Sequence, residues 1–292
     1  MSIPDISLFS QLSSSLDDTL SNIQTVEQQL GTGKSVIEPS DNPVAYAGAQ
    51  LLTTQQSAVN NDLSLAQQSQ GRLTTLDNTL ATVTNEIDAA SATATQGADG
   101  SLSTAQMQTL ATQAQSILTQ VIGAGNTQYE GAYLFAGSQV LTPPYNATGT
   151  YAGDSATNSV TFSDGTQVQM SFDGQSVFGD NTNGLISALT SLVSNLNSGN
   201  HAGVSATLPQ LQTALQTLAE TRSSIGSNLD TLSNVVTNSN NKIVTYQTTE
   251  SNLVDADVAQ EAMQEQETTL QQQALVQLGS TLGKIPLLNI LA

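Results

Sequence analysis

The chain contains no cysteine and no tryptophan, and it has a single histidine. Without cysteine there are no disulfide bonds, thiolate metal sites or cysteine nucleophile. The histidine, His201, follows the polar residues Ser198, Gly199 and Asn200, and no second histidine is available for a His-rich metal site. We interpret His201 as a solvated loop residue. We predict no catalytic residue, no cofactor and no bound metal.

Basic residues are also scarce. Five Lys and Arg oppose 24 Asp and Glu, which gives a net charge of −19. Nucleic acids and anionic membrane surfaces are bound through clustered Lys and Arg, so we predict no nucleic-acid partner, and anionic membrane surfaces are disfavoured. The first residues, Met1–Asp5, lack the basic and apolar regions of a secretory signal peptide. The most apolar run, 285–292, is far shorter than the ~20 residues of a membrane span, so we predict no membrane insertion.

Aromatic residues make up only 4% of the chain and most of them fall between Tyr129 and Phe178. A small compact module needs large side chains because it has little surface to bury, whereas long helices can pack through Leu, Val, Ile and Ala. Apolar and polar residues alternate around the turn Asp164–Gly165, and a second Asp-Gly turn, Asp173–Gly174, precedes Val177 and Phe178. These signals predict a β-rich insertion domain over 136–184.

The rest of the chain carries a helical period. One example runs from Leu208 to Leu253, where mostly apolar residues recur in steps of three and four. This heptad pattern predicts a helix about 65–70 Å long that packs against equally long partners. Similar seams occur at 9–30, 45–90, 103–124 and 185–196, and a looser one contains Val258, Met263, Leu270, Ala274, Leu278 and Leu282.

Helix boundaries follow from capping and glycine signals. Gly31–Gly33 and Gly97–Gly100 are predicted helix ends, and Asn42 is a predicted N-cap with Pro43 as the first helical residue. Short turns between long helices favour antiparallel neighbours. We therefore predict a mainly α fold, a nested antiparallel bundle or coiled coil. Its predicted parts are a terminal coiled-coil domain (1–42 plus 254–292), a helical bundle (43–135 plus 185–253) and the β-rich insertion.

Two groups of charged residues have competing interpretations. Asp255, Asp257 and Glu261 form a small acidic cluster that could bind calcium, but Asp near a helix start is favoured by capping and by the helix dipole. We prefer the capping interpretation.

Arg222 interrupts the long seam. We predict that it pairs with a carboxylate of another helix or lays its stem along the seam, in preference to an assembly contact.

Three segments resemble a known family. They are LGTGKSV (30–36) followed by PSDNPVA (39–45), YEGAYLFAGS (129–138) followed by PPY (143–145), and LVDADVA (253–259). Together they are similar to signatures of the flagellin superfamily, and in detail to its hook-associated protein 3 branch. The signature and candidate assembly residues are Gly33, Lys34, Pro39, Ser40, Asp41, Pro43, Tyr133, Leu134, Phe135, Gly137, Pro144, Asp255 and Asp257.

The resemblance implies a structural protein of the bacterial flagellum that is not an enzyme. It implies a junction between the hook, through hook-associated protein 1, and the flagellin filament, with self-association in a ring. It also implies extracellular localisation after type III flagellar export with a chaperone, and a terminal domain whose inner position depends on assembly.

Two alternatives remain open from the sequence. One is a flagellin filament subunit, since Pro286 in the C-terminal apolar tail is more similar to flagellin. The other belongs to a different class, a secreted coiled-coil adhesin whose β insertion binds a host surface. Self-assembly into long filaments would distinguish the first alternative, and a gene position away from hook and rod genes would favour the second.

Overall fold

The computed structural model describes residues 3–282, so Lys284, Pro286 and the apolar tail lie outside the described residues. Long helices dominate the described part, and the prediction of a mainly α fold with a small β-rich part is confirmed. The helices are α1 (Ile3–Thr32), α2 (Pro43–Gly97), α3 (Thr104–Gly125), α4 (Gly174–Phe178), α5 (Gly184–Asn197), α6 (His201–Val254) and α7 (Val258–Leu282). The strands are β1 (Gln128–Tyr129), β2 (Ala132–Tyr133), β3 (Ser159–Thr161) and β4 (Gln167–Gln169).

The chain divides into two compact units. One unit combines Met1–Ser57 with Lys242–Ala292, and the other is Ala58–Asn241. These boundaries fall inside α2 and α6. The three-domain division inferred from the sequence, with boundaries at helix ends, therefore remains a proposal. The second unit holds one core in which apolar residues of the helices and of the segment 136–184 pack together.

The predicted seam of α6 is the buried face of that helix. Every seventh residue from Leu211 to Ser239 is buried, and the seam positions between them, including Leu229, are half-buried. The matching stripe of α2 is fully buried from Ala66 to Ile87. Both stripes belong to the single apolar core of this unit. The seam predictions for α2 and α6 are confirmed.

Helices α3 and α5 pack on each other in the same unit. Ser103 caps α3 with a capping box, because its hydroxyl accepts from the Gln106 N–H and the Gln106 side chain accepts from the Ser103 N–H. The predicted apolar positions of α5, from Leu185 to Leu196, are all buried. These two helices lie at the positions that their periodicity predicts.

The start of α6 differs from the prediction. His201 is the first residue of α6, half-buried, and its Nδ1 lies 2.8 Å from the carbonyl oxygen of Gly97 at the end of α2. It is therefore not a solvated loop residue. Pro209 lies inside the helix, although proline cannot donate the helical hydrogen bond. The turns before it bury Val204 and Thr207, and this burial extends the helix past the proline.

The β-rich part contains two hairpins and a short helix. The predicted hairpin is present, with β3 antiparallel to β4 and Val160 opposite Val168. Val177 and Phe178 were predicted in a β pattern but lie in α4, because Asp173 accepts a hydrogen bond from the Gln175 N–H and caps a helical turn there. The hairpin β1–β2 was not predicted from its sequence.

In the other compact unit α1 packs against α7. The inward face of α1 carries the predicted seam residues from Leu12 to Leu30, while the side chain of Phe9 lies outside the described part. In the predicted coiled coil of the two terminal segments, the apolar seam of α7 would face α1. This prediction is wrong. Thr268 is buried, whereas Met263, Leu270 and Leu278 are 66%, 65% and 53% exposed. Gly279 on this polar face allows α7 to approach α1 closely, since a Cβ added at Gly279 would lie 3.3 Å from the Leu12 side chain.

Candidate assembly site

Most of the signature residues lie in two non-helical connectors, 33–42 between α1 and α2 and 255–257 between α6 and α7. The two connectors lie side by side. The Ala256 N–H donates to the Gly33 carbonyl oxygen at 2.9 Å, and the Ser35 N–H donates to the Val254 oxygen at 2.7 Å. Lys34 and Asp255 form an antiparallel bridge between them. Backbone hydrogen bonds thus join the segment that follows α1 to the segment that precedes α7.

Burial and a glycine support this bridge. Val36, Ala45 and Val254 form a small buried cluster beside it, with Tyr46 and Ala49 packed against the cluster. Gly33 has a φ of +70°, a left-handed conformation that glycine adopts at little cost. The connector can therefore turn sharply after α1 and still place Val36 in the cluster.

Asp41 and Asn42 organise the start of α2. Asp41 Oδ2 accepts hydrogen bonds from the backbone N–H groups of Ile37 (2.9 Å) and Glu38 (2.8 Å). These bonds, the one from Glu38 more than the one from Ile37, lower the pKa of the Asp41 carboxyl. Asn42 Oδ1 accepts from the Ala45 N–H at 3.1 Å, and α2 begins at Pro43, so the predicted cap is confirmed. Pro39 and Ser40 are exposed in the turn between these contacts.

The acidic residues at the second connector serve the backbone. Asp257 Oδ1 accepts from the N–H groups of Ala259 (3.0 Å) and Gln260 (3.3 Å), which caps α7. The Asp255 carboxylate accepts from the Ser251 hydroxyl. Lys34 Nζ lies 3.8 Å from Glu250 Oε1. Over residues 3–282 no group of three His, Cys, Asp or Glu is placed to hold a metal ion, and these contacts support capping over calcium binding.

The second block of signature residues lies in the Ala58–Asn241 unit and is mostly buried. Leu134 and Phe135 are fully buried, and the Phe135 ring meets Phe178 edge to face with centroids 4.8 Å apart. Gly137 has a φ of +68° and Asp154 occupies the space of its missing side chain. The Pro144 carbonyl accepts from the Ala152 N–H at 2.8 Å, and Tyr133 is half-buried in β2.

Tyr145 ties this block together, although it was not singled out as a site residue. Its hydroxyl donates to the carbonyl oxygens of Gly174 (2.6 Å) and Gly179 (2.9 Å). Burial raises the pKa of Tyr145 above its ordinary range, because an ionised hydroxyl would lose solvation there. The block is therefore a folded aromatic core, and a role for it in assembly remains a proposal.

Side chains of α2 and α6 hold the rest of this unit together. Arg222 Nε donates to Asp77 Oδ1 at 2.8 Å and its second nitrogen to Oδ2 at 3.3 Å, which confirms the predicted pairing with a carboxylate of another helix. Arg72 Nε donates to the Met170 carbonyl at 3.0 Å, and Gln68 donates to Glu130 at 2.9 Å. These contacts cannot be predicted from the local sequence, because each joins residues far apart in the chain.

Comparison with known proteins identifies the family. The model described as the bacterial flagellin N-terminal helical region matches residues 6–140, and the model of the bacterial flagellin C-terminal helical region matches residues 208–291. The chain belongs to the flagellin family. The two matched regions contain both connectors, the aromatic block up to residue 140, α2 and most of α6. The resemblance seen in the sequence is confirmed.

Individual relatives point to one branch of the family. Flagellar hook-associated protein 3 of Salmonella typhimurium is 28% identical over 276 residues, covering 86% of this chain and 87% of that protein. Flagellar hook-associated protein 3 of Escherichia coli is 33% identical over 129 residues, 43% of this chain and 40% of that one. The crystal structure of flagellar hook-associated protein 3 from Legionella pneumophila shares the fold, with a TM-score of 0.63 and 17% identity over 70% of this chain and 98% of that one.

These relatives are structural proteins of the bacterial flagellum, and the family membership assigns the chain to that structure. In the described part of the chain, no helix is both long and apolar enough to cross a membrane.

Proposed function

We propose that this chain is a structural junction protein of the flagellum that joins the hook to the flagellin filament. The observation that carries the proposal is the match to a hook-associated protein 3 along nearly the whole of both chains. A local match could reflect a shared helix, but an alignment over 86% of this chain is far longer than any one helix, since α2 has 55 residues. Flagellar localisation follows from the same relationship.

The proposed partners are hook-associated protein 1 on one side and flagellin on the other, with copies of this chain forming a ring between them. The division into a terminal domain (1–42 plus 254–292), a bundle and an insertion fits this role. The terminal helices would line the inside of the tube, where neighbouring copies cover surface that one copy leaves exposed. The half-exposed apolar residues of α7 support this reading, since rows of such residues mark interaction surfaces.

We further propose that the chain reaches its place by flagellar type III export, with a chaperone, and ends up outside the cell. A chain without cysteine suits passage in an unfolded state, because no disulfide has to be avoided or re-formed. The contacts at His201 and at the acidic connector are structural, and the proposed function requires no catalysis and no cofactor.

A direct test uses isolated hooks that lack the filament. The purified chain, carrying a gold label, is added with hook-associated protein 1, and the hook ends are imaged before and after flagellin is supplied. We expect one labelled layer at the hook end and filament growth only beyond that layer. Long filaments of this chain alone would favour the filament-subunit alternative, and no binding to hook ends would favour the adhesin alternative.

A further inference from the structure

Aspartate or asparagine precedes glycine at four places in the chain. The pairs are Asp99–Gly100, Asp164–Gly165, Asp173–Gly174 and Asn183–Gly184. In such a pair the glycine nitrogen can attack the side-chain carbonyl carbon of the preceding residue, because no Cβ shields that nitrogen. An uncharged amide carbon accepts this attack more readily than the carbon of an ionised carboxylate. Asn183 is the one asparagine of the chain that is followed by glycine.

Hydrogen bonds restrain the three Asp–Gly pairs. A carboxylate oxygen of Asp99, Asp164 and Asp173 accepts from the backbone N–H two residues further on, at 3.0, 2.9 and 2.9 Å. In the second and third pairs the glycine N–H also donates to a backbone carbonyl oxygen, at 2.9 and 3.1 Å. Attack by the glycine nitrogen would therefore break hydrogen bonds in each of these turns.

The Asn183–Gly184 pair has neither restraint. Asn183 is exposed and stands at the N-cap of α5, but its side chain makes no capping hydrogen bond. Gly184 is the first residue of α5, so its N–H has no partner within the helix, and no described residue accepts a hydrogen bond from it. The Asn183 amide can therefore rotate over the Gly184 nitrogen without losing a hydrogen bond.

The fold fixes the glycine of this pair. Gly184 has a φ of +73°, and a Cβ at this position would lie 2.7 Å from the Cα of Gly179. Asp180 holds the turn closed, since its N–H donates to the Asn183 carbonyl oxygen at 2.9 Å and its Oδ1 accepts from the Asn183 N–H at 3.0 Å. Only glycine suits position 184, so the reactive nitrogen beside Asn183 is a requirement of the turn.

We propose that Asn183 is a site of spontaneous deamidation, and that its conversion alters the start of α5. The Gly184 nitrogen loses its proton and bonds to Asn183 Cγ, and the side-chain nitrogen leaves as ammonia, which closes a succinimide ring. Water then opens the ring at one of its two carbonyl carbons. Opening at the former side-chain carbon gives aspartate, and opening at the backbone carbon gives isoaspartate. The sum is the exchange of ammonia for water.

The two products act differently on α5. Aspartate adds a negative charge at the N-cap, which the helix dipole favours. Isoaspartate inserts an additional carbon into the main chain before Gly184, where the turn already brings Gly179 and Gly184 into close contact. Leu185 and Ile186, the next two residues, are 1% and 0% exposed. A longer main chain before them displaces this buried pair, so isoaspartate loosens the start of α5.

The test follows Asn183 in the folded full chain at neutral and at mildly alkaline pH. Samples taken over time are digested with chymotrypsin and analysed by mass spectrometry, and a sample digested at time zero corrects for conversion during digestion. Cleavage after Phe178 and Leu185 releases one peptide that also contains Asn181. Electron-transfer fragmentation separates the two asparagines and distinguishes isoaspartate from aspartate.

Asn181 is the internal control, because it is exposed in the same turn but is followed by threonine. We expect conversion at Asn183 to be at least about tenfold faster than at Asn181, a difference of about 1.4 kcal/mol in activation free energy. The rate should rise with pH, because the attacking nitrogen must lose its proton. Asn183→Ser keeps a capping residue at this position and should remove the fast conversion.

A matched variant separates the effect of the structure from that of the dipeptide. Asp164→Asn places a second Asn–Gly pair in a turn where the side chain and the glycine N–H are both hydrogen-bonded. Conversion there should be at least about tenfold slower than at Asn183 in the same folded molecule. In urea, where these hydrogen bonds are absent, the two sites should react at similar rates.

A thermal unfolding measurement tests the consequence for α5. The aged chain, once most of its Asn183 has become isoaspartate, should unfold at a lower Tm than the fresh chain. Asn183→Asp, which adds the charge but keeps the length of the main chain, should not lower the Tm. The aged Asn183→Ser chain is the control for other damage.

Three results overturn the proposal. Equal rates at Asn183 and Asn181 in the folded chain show that the turn protects the Asn–Gly pair. Equal rates at Asn183 and at Asp164→Asn in the folded chain show that the missing hydrogen bonds do not matter. An unchanged Tm after conversion to isoaspartate shows that α5 is not altered. None of these outcomes bears on the junction role, which the labelled hooks test separately.

Discussion

At the scale of single residues, Gly137 lies just after the buried pair Leu134 and Phe135. Its φ is +68°, and Asp154 fills the space that a side chain would need. Asp154 is itself fixed there, because its carboxylate accepts from the backbone N–H groups of Ser138 (2.8 Å) and Ala156 (3.0 Å). A glycine is required at 137 for two separate reasons, backbone conformation and space.

We expect Gly137→Ala to lower the free energy of unfolding more than Gly165→Ala does. Gly165 has a φ of +85° but no neighbouring atom near its missing side chain, so alanine there costs about 1–2 kcal/mol of backbone strain alone. At Gly137 the overlap with Asp154 adds to the same strain. Urea unfolding of the two variants measures the difference, and equal losses would contradict the packing argument.

Residue identity also decides what the sequence could reveal. Asn42 and Ser103 cap helices through hydrogen bonds to residues three positions away, and such caps can be predicted from the local sequence. The bond between Ser35 and Val254 joins residues 219 apart. The resemblance to a family marked this connector as important, but only the structure shows what it contacts.

At the scale of elements, α6 offers a graded test of its predicted seam. Leu232 is fully buried, Leu229 is half-buried and Ser227 is exposed. We expect Leu232→Ala to cost about 2–5 kcal/mol and Leu229→Ala less, because a half-buried site leaves a smaller cavity. Ser227→Ala should stay within about 0.5 kcal/mol. Thermal or urea unfolding gives the order, and a larger loss at Leu229 than at Leu232 would mean that the helix faces another way.

The elements also show where periodicity stops being informative. Long seams predicted α2, α3, α5 and α6, because many repeats agree on one buried face. The same kind of pattern in α7 located an apolar stripe but assigned it to the wrong side, since a period does not say which partner covers the face. Elements of two to five residues, β1, β2 and α4, are too short to carry a period and depend on turns and caps.

At the scale of the whole molecule, two ways of dividing the chain make different statements about Lys242. The sequence places it in a bundle that continues to 253, whereas the compact units place it with the terminal segments, beyond Asn241. Arg72 and Arg222 belong to the central unit under both divisions. Lys34 belongs to the terminal part under both.

Trypsin cleavage tests the two divisions at few sites, because the chain offers only five basic residues. Cleavage of a structured segment requires local opening, which is easiest where few buried contacts must be broken. Lys34, exposed in a connector, should be cut first among these four sites. Arg72, half-buried against Met170, and Arg222, paired with Asp77, should resist longest.

Lys242 is exposed but lies inside a helix, so we expect cleavage there at an intermediate rate. Mass spectrometry of a time course in dilute protein gives the order. Cleavage at Lys242 as slow as at Arg222 would support the boundary at 253, because opening there would then require the bundle to open. Cleavage at the rate of Lys34 would support the boundary at 241. Rapid cleavage at Arg72 and Arg222 would contradict both divisions, since each places these two residues in a stable helical unit.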